Sequence, residues 1–184
     1  MDYETLSNCF VGVFKHYKTN IYKIFVIHKL RDDTKEFIKF LKENIKNKEW
    51  HISYNGLAFD AQVTHKILKY HKDWKGMDAE DITQEIYWFA QDAIKRSNNR
   101  EFQEFAEWHM KIEQIDVFKL NHWDNMARRS SLKWIEYTMD WNNILDMPIN
   151  HESEITTQKE IDIIIEYCKN DVDATHENII DLNH

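Results

Sequence analysis

Apolar residues alternate with polar ones early in the chain and fall into helical spacing later. Residues 2–29 read as strands. The apolar-aromatic runs Cys9 to Tyr17 and Ile21 to His28 flank Lys18-Thr19-Asn20, which has the makings of a hairpin turn. In the second run Tyr22, Ile24, Val26 and His28 alternate with Lys23, Phe25 and Ile27, the period of two that a strand requires. Asp32-Asp33 then starts a helix, with Phe37, Ile38, Leu41 and Ile45 on one face. Trp50 to Tyr54 is a short strand ending at Asn55-Gly56, followed by a helix that turns Phe59, Val63, Ile67 and Leu68 inward.

Residues 78–112 look helical, with Ile82, Ile86, Phe89, Ala90 and Ala93 on one stripe and a break at Ser97-Asn98-Asn99. Gln114 to Leu120 reads as a further strand. Ser130-Ser131 can cap a helix carrying Leu132, Ile135 and Met139, and Pro148 falls in a loop. Thr156-Thr157 opens the last helix, with Ile161, Ile164, Ile165 and Cys168 inward. No repeat or linker interrupts this order. It predicts one α/β domain over residues 1–184, with helices on the faces of a sheet and a helical insertion at about 76–112.

Composition narrows the chemistry. Only 3 Gly and 1 Pro exclude collagen-like and low-complexity architectures, and 25 aromatic residues (7 Trp, 8 Tyr, 10 Phe) exclude general disorder. The net charge of −8 is the wrong sign for a protein that holds nucleic acid by overall electrostatics, so such contact must be local or metal-assisted. Cys9 and Cys168 fit no Cys-x-x-Cys pattern and read as reduced thiols of a cytoplasmic protein. No apolar run reaches membrane-spanning length, and the start Met1-Asp2-Tyr3-Glu4 is too acidic for a signal peptide, so no membrane partner is expected.

Three short patterns carry candidate chemistry. Asp2 and Glu4 lie two apart on the first strand and so share a face, where they repel each other unless a cation or solvent separates them. Asn55-Gly56-Leu57-Ala58-Phe59-Asp60 follows a strand and places Asp60 in a first helical turn, where the helix dipole favours an anion whether or not it has a catalytic task. Tyr167 and Asp171 are four apart on the last helix, next to its apolar stripe, at a place where an unpaired Asp is costly and an Asp at the stripe's edge is not.

Together the three resemble the DEDD 3′–5′ exonucleases of the ribonuclease H-like fold. Asp2 and Glu4 match Asp-x-Glu; Asn55, Phe59 and Asp60 match Asn-x(3)-Phe-Asp; Tyr167 and Asp171 match Tyr-x(3)-Asp, the mark of the DEDDy subgroup that includes polymerase proofreading domains. Glu166 stands where the DEDDh subgroup has His. Ile115-Asp116-Val117 and Ser131-Leu132-Lys133-Trp134 resemble the intervening segment, so the likeness spans nearly the whole chain.

The resemblance implies a mixed sheet, antiparallel in its first three strands and then parallel, flanked by helices. It implies two divalent cations, Mg²⁺ or Mn²⁺, held by Asp2, Glu4, Asp60 and Asp171. Oxygen ligands suit such hard ions, and an ion pair about 3.5–4 Å apart can stabilise both the attacking and the leaving oxygen of a phosphodiester. It further implies that Tyr167 orients the attacking water. Asn55, Phe59 and the backbone of Thr5 and Leu6 would contact the terminal nucleotides. Arg128-Arg129 with Lys133 is the best local basic stretch for phosphate, or else a solvated helix start.

The expected activity is 3′–5′ exonuclease on single-stranded or frayed DNA, releasing nucleoside monophosphates. An exoribonuclease and a non-catalytic replication module that kept the fold are the alternatives. Expected partners are single-stranded DNA or RNA and a polymerase or other replication protein. The family's first motif has apolar residues ahead of its Asp, whereas Met1 alone precedes Asp2 here. Met1 is therefore expected to be a misplaced start, with an α-amino group that competes with cations at Asp2.

Overall fold

The computed structural model describes residues 1–123, 130–150 and 153–182. It is an α/β protein. Strands β1 (Asp2–Leu6), β2 (Cys9–Lys15), β3 (Tyr22–His28) and the short β4 (Arg31–Asp32) form an antiparallel sheet in chain order. Helix α1 (Thr34–Asn47) leads to β5 (Trp50–Ser53). A 3-10 turn at Gly56–Ala58 and helices α2 (Asp60–Tyr70) and α3 (Ala79–Asn99) follow. The chain then forms β6 (Glu113–Asp116), α4 (Val117–Asn121), α5 (Leu132–Thr138) and α6 (Gln158–Asp181). β5 and β6 pair in parallel, so antiparallel and parallel pairing both occur. They form a second ladder, which the Met1 ammonium joins to the first by donating to the Ile52 carbonyl at 2.7 Å. The antiparallel first strands and the later parallel strands that the resemblance implies are both present, as two ladders that meet at Met1.

Alternation along β1–β3 sorts side chains onto two faces. On one, Tyr3, Phe10, Phe14, Phe25 and Ile27 pack with Phe37 and Leu41 of α1, Val63 and Ile67 of α2, and Ile82, Ile86 and Ala90 of α3. The Tyr3 ring lies over Gly12, its partner across the ladder, where an added Cβ would come within 3.1 Å of the ring. On the other face Leu6, Cys9, Val11, Val13 and Val26 pack against Ile161, Ile164, Ile165, Cys168 and Val172 of α6. Thr157 caps α6 with a reciprocal capping box to Glu160.

Two sequence expectations need correction. The helix read over 78–112 ends at Asn99, within the expected break at Ser97-Asn98-Asn99, where Arg100 takes the left-handed conformation (φ 59°), but it does not resume: residues 100–112 hold only a 3-10 turn at Glu107–His109. The predicted strand Gln114 to Leu120 stops at Asp116, whose carboxylate accepts from the Phe118 N–H and starts α4. The helix start read at Asp32-Asp33 holds: Asp33 is the N-cap of α1, and Asp32, in β4, accepts from the Thr34 N–H. No helix among the described residues is long and apolar enough to cross a membrane.

Candidate functional site

The face rule that builds the α6 core also builds the site. Asp2 and Glu4 continue the face of Leu6, so β1 aims both carboxylates at α6. On α6, Ile164, Cys168 and Asp171 fall on one helical stripe, with the first two in the core and Asp171 at its end. Asp2, Glu4 and Asp171 consequently converge, with one carboxylate oxygen of each within 4.8 Å of the others.

Asp60 arrives from a different direction. It is the first residue of α2, 2% exposed, and its Oδ1 accepts from the Tyr3 backbone N–H at 3.0 Å. The turn before it is held by Asp116 at the end of β6, which accepts from the N–H groups of Asn55 (2.8 Å) and Leu57 (3.2 Å). Asn55 occupies the left-handed region (φ 57°), and a Cβ on Gly56 would meet the Ser53 Oγ at 1.8 Å. The turn therefore needs both residue types.

Four acids share this volume with little to neutralise them. Among the described residues, none of Asp2, Glu4, Asp60 and Asp171 has a Lys, Arg or His in ion-pair range. Burial first and the Asp171 charge second push the Asp2 carboxyl up to about 7, and the nearby Met1 ammonium offsets part of that rise. Burial, then Asp2, raises Glu4 and Asp60 well above the carboxylate range. Burial raises Asp171 to about 6, and the phenol of Tyr167, one turn earlier, holds it down in part. Burial lowers the Met1 ammonium in turn. The Cys168 thiol donates to the Asp2 carbonyl at 3.3 Å and to its Oδ2 at 3.4 Å.

Buried Glu4 and half-buried Asp2 and Asp171, with ligand oxygens within 4.8 Å of one another and no ion-paired Lys, Arg or His among the described residues, match the oxygen-only donor set of a hard divalent ion. The residues present therefore fit such an ion. Asp2, Glu4 and Asp171 offer the compact set, and Asp60 stands beside them.

Above the carboxylates lies a cleft of about 590 Å³. Asp2, Glu4, Thr5 and Asp60 line its floor, Asn55, Ala58 and Phe59 one rim, and Tyr87, Gln91, Ile94 and Asn98 of α3 the opposing wall. Thr5 reaches the cleft, while the Leu6 side chain is buried in the α6 core. Tyr167 is buried beside Asp171. Lys133 on α5 is engaged by Asp146. Arg128 and Arg129 lie outside the described residues.

Sequence reasoning missed the α3 wall, because Tyr87, Gln91 and Ile94 lie off the apolar stripe of Ile82, Ile86, Phe89, Ala90 and Ala93. It missed Asp116 because one acid inside an apolar run carries no signal. It also missed Glu136 of α5, which is 1% exposed and raised to about 7 by burial and then by the Asp171 charge.

Comparison of the chain with protein-family models, with characterised proteins and with solved structures found no match.

Proposed function

We propose that the protein is a metal-dependent 3′–5′ exonuclease with a ribonuclease H-like fold, acting on single-stranded or frayed DNA ends and releasing nucleoside monophosphates. The observation that carries this reading is the convergence of Asp2, Glu4 and Asp171 within 4.8 Å, without an ion-paired Lys, Arg or His among the described residues, with Asp2 and Glu4 lining a cleft. Divalent cations bound there, Mg²⁺ or Mn²⁺, would supply charge neutralisation for the phosphodiester and activation of water. Asp2, Glu4 and Asp171 would hold the cation, with Asp60 beside them.

Tyr167, buried next to Asp171, would orient the attacking water by its hydroxyl. Asn55 and Phe59 on the rim take the terminal nucleotide, with the Phe59 ring against the base, a contact open only to unpaired ends. The α3 wall confines the strand from the other side. The negative net charge suits this chemistry, since phosphate is repelled until the cation enters.

The test is digestion of 5′-labelled single-stranded DNA with Mg²⁺ or Mn²⁺, alongside RNA of the same sequence. A ladder shortening from the 3′ end on DNA is expected. Shortening of RNA alone would move the assignment to an exoribonuclease, and no shortening of either would overturn the enzymatic reading.

A further inference from the structure

Helix α3 carries two stripes. Ile82, Ile86 and Ala90 are buried in the aromatic core. Beside them Tyr87, Gln91, Ile94 and Asn98 follow the spacing of four, three and four that keeps side chains on one helical face, and all four line the cleft above the acids. This second stripe runs for about three turns, or about 16 Å. That leaves room for several stacked bases at about 3.4 Å each.

Its composition sets it apart from the rest of the helix. The other exposed positions of α3 include Asp81, Glu85, Asp92 and Lys95, whereas the stripe holds one aromatic ring, one aliphatic side chain and two amides, and no charge. Among the described residues no Lys, Arg or His lines the cleft. A cation on this wall would be drawn to the acids of the floor and would compete with a divalent ion there. Without one, the wall has no charge with which to hold phosphate. What it offers suits bases. Tyr87, in edge contact with Trp88 at 5.3 Å, and Phe59 on the opposite rim bring aromatic rings to both sides of the cleft. Ile94, 39% exposed, adds an apolar contact. The side-chain amides of Asn55, Gln91 and Asn98 make no hydrogen bond within the protein among the described residues, and an amide can serve either a donor or an acceptor on a base edge.

We infer that the Tyr87–Gln91–Ile94–Asn98 stripe is a base-holding track, which grips the last few nucleotides of a single-stranded DNA 3′ end through their bases and leaves the phosphates to the cation and to solvent; this rests on the exonuclease reading given above. Every base has a π-face, and an amide can turn to suit either hydrogen-bonding group, so the track tolerates any sequence. A paired base has its edge and faces already occupied, so the track takes unpaired ends.

The test is single-turnover digestion of 5′-labelled single-stranded DNA by the full chain with Mg²⁺, for the wild type, Tyr87→Ala and Tyr87→Phe. The half-saturating protein concentration is read apart from the maximal rate. Tyr87→Ala should need about 5- to 150-fold more protein, the range for losing one base–aromatic stack, with a smaller change in maximal rate. Tyr87→Phe keeps the ring and should recover most of that loss. A strand with abasic sugars at the three positions before the terminal nucleotide should saturate the wild type less readily. On that strand Tyr87→Ala should cost less, because ring and base act as a pair. Raising salt from about 50 to about 200 mM should weaken wild-type saturation less than about tenfold, whereas a strand held through many phosphates loses about 10³–10⁵. Should Tyr87→Ala fail to fold, Ile94→Ala carries the test, with weaker saturation expected from the lost apolar contact. Wild-type saturation in the folded variant, or a steeper salt dependence, would overturn the track and leave the exonuclease reading standing. A wild-type chain that shortens no DNA would overturn both.

Discussion

The two faces of the β1–β3 ladder differ in what they spend their burial on. The face toward α1, α2 and α3 is aromatic and closed. Phe37 alone contacts the rings of Tyr3, Phe10, Phe14 and Phe25 at centroid distances of 4.9–6.0 Å. The face toward α6 is aliphatic, and its core gives way to carboxylates where β1 continues past Leu6 toward Asp2. One face gains stability from every residue it buries. The other gives some up to hold like charges together, which is the usual physical cost of a preorganised site. A substitution should therefore have opposite consequences on the two faces.

The sharpest contrast pairs Phe37→Ala with Asp171→Asn. Asp171→Asn should lower cleavage by more than about 1000-fold, since removing even one preorganised contact is worth on the order of 100–1000-fold. Its metal-free melting temperature should hold or rise. Phe37→Ala should lose about 3–5 kcal/mol of folding stability, the range for emptying a buried aromatic site. The folded fraction should keep its affinity for Mn²⁺. Denaturant titration and a nuclease assay on both variants check this, and a destabilised Asp171→Asn would erase the distinction between the faces.

Tyr167→Phe should have a smaller effect. It keeps the ring that packs near Asp171 and removes only the hydroxyl, so turnover should fall roughly 10–1000-fold with Mn²⁺ binding intact. Single-turnover rates and calorimetry separate the two quantities. Loss of Mn²⁺ binding would make Tyr167 a ligand-holding residue instead.

The gentlest probe is pH. A carboxyl whose folded pKa is raised contributes stability that is full below its unfolded value near 4 and lost as pH rises through the folded value. For Asp2 and Asp171 those folded values are about 7 and about 6. His51, lowered to about 3 by burial, acts in the opposite sense over the acid side of that range. The diagnostic quantity is thus the difference between wild type and Asp171→Asn. That difference should grow in favour of the variant from pH 4 to about 7 without metal, and shrink or reverse with excess Mg²⁺. Thermal melts across that range would show it, and a pH-independent difference would contradict the raised values.

How much of this was legible in the sequence varies by mechanism. The β2–β3 hairpin and the stripes of α1 and α6 were readable, because a period of two or 3.6 in apolar residues is itself the burial pattern. The placement of Asp2, Glu4, Asp60 and Asp171 could be anticipated from three spaced patterns, each tied to a strand, a helix start or a helix face. Glu136 was not readable. A Glu flanked by Trp134 and Tyr137 looks like a solvated acid, and only the packing of α5 on α6 turns it inward. The end of β6 was misjudged for a similar reason. Ile115, Val117 and Leu120 continue an apolar run, but the Asp116 carboxylate satisfies the Phe118 N–H and makes the helical turn the better backbone solution.

The Met1 ammonium, donating to the Ile52 carbonyl between the two ladders, also has a practical side. The space beside Met1 is lined by Phe14, Lys15, His16, Trp50 and His51, among others, and a group joined to that nitrogen would compete with them for it. An affinity handle or fluorophore attached there would sit inside the seam of the protein, next to Asp2. For purification or labelling, such attachments belong elsewhere on the chain, and amine-directed dyes should be checked for reaction at this end before any activity measurement is interpreted.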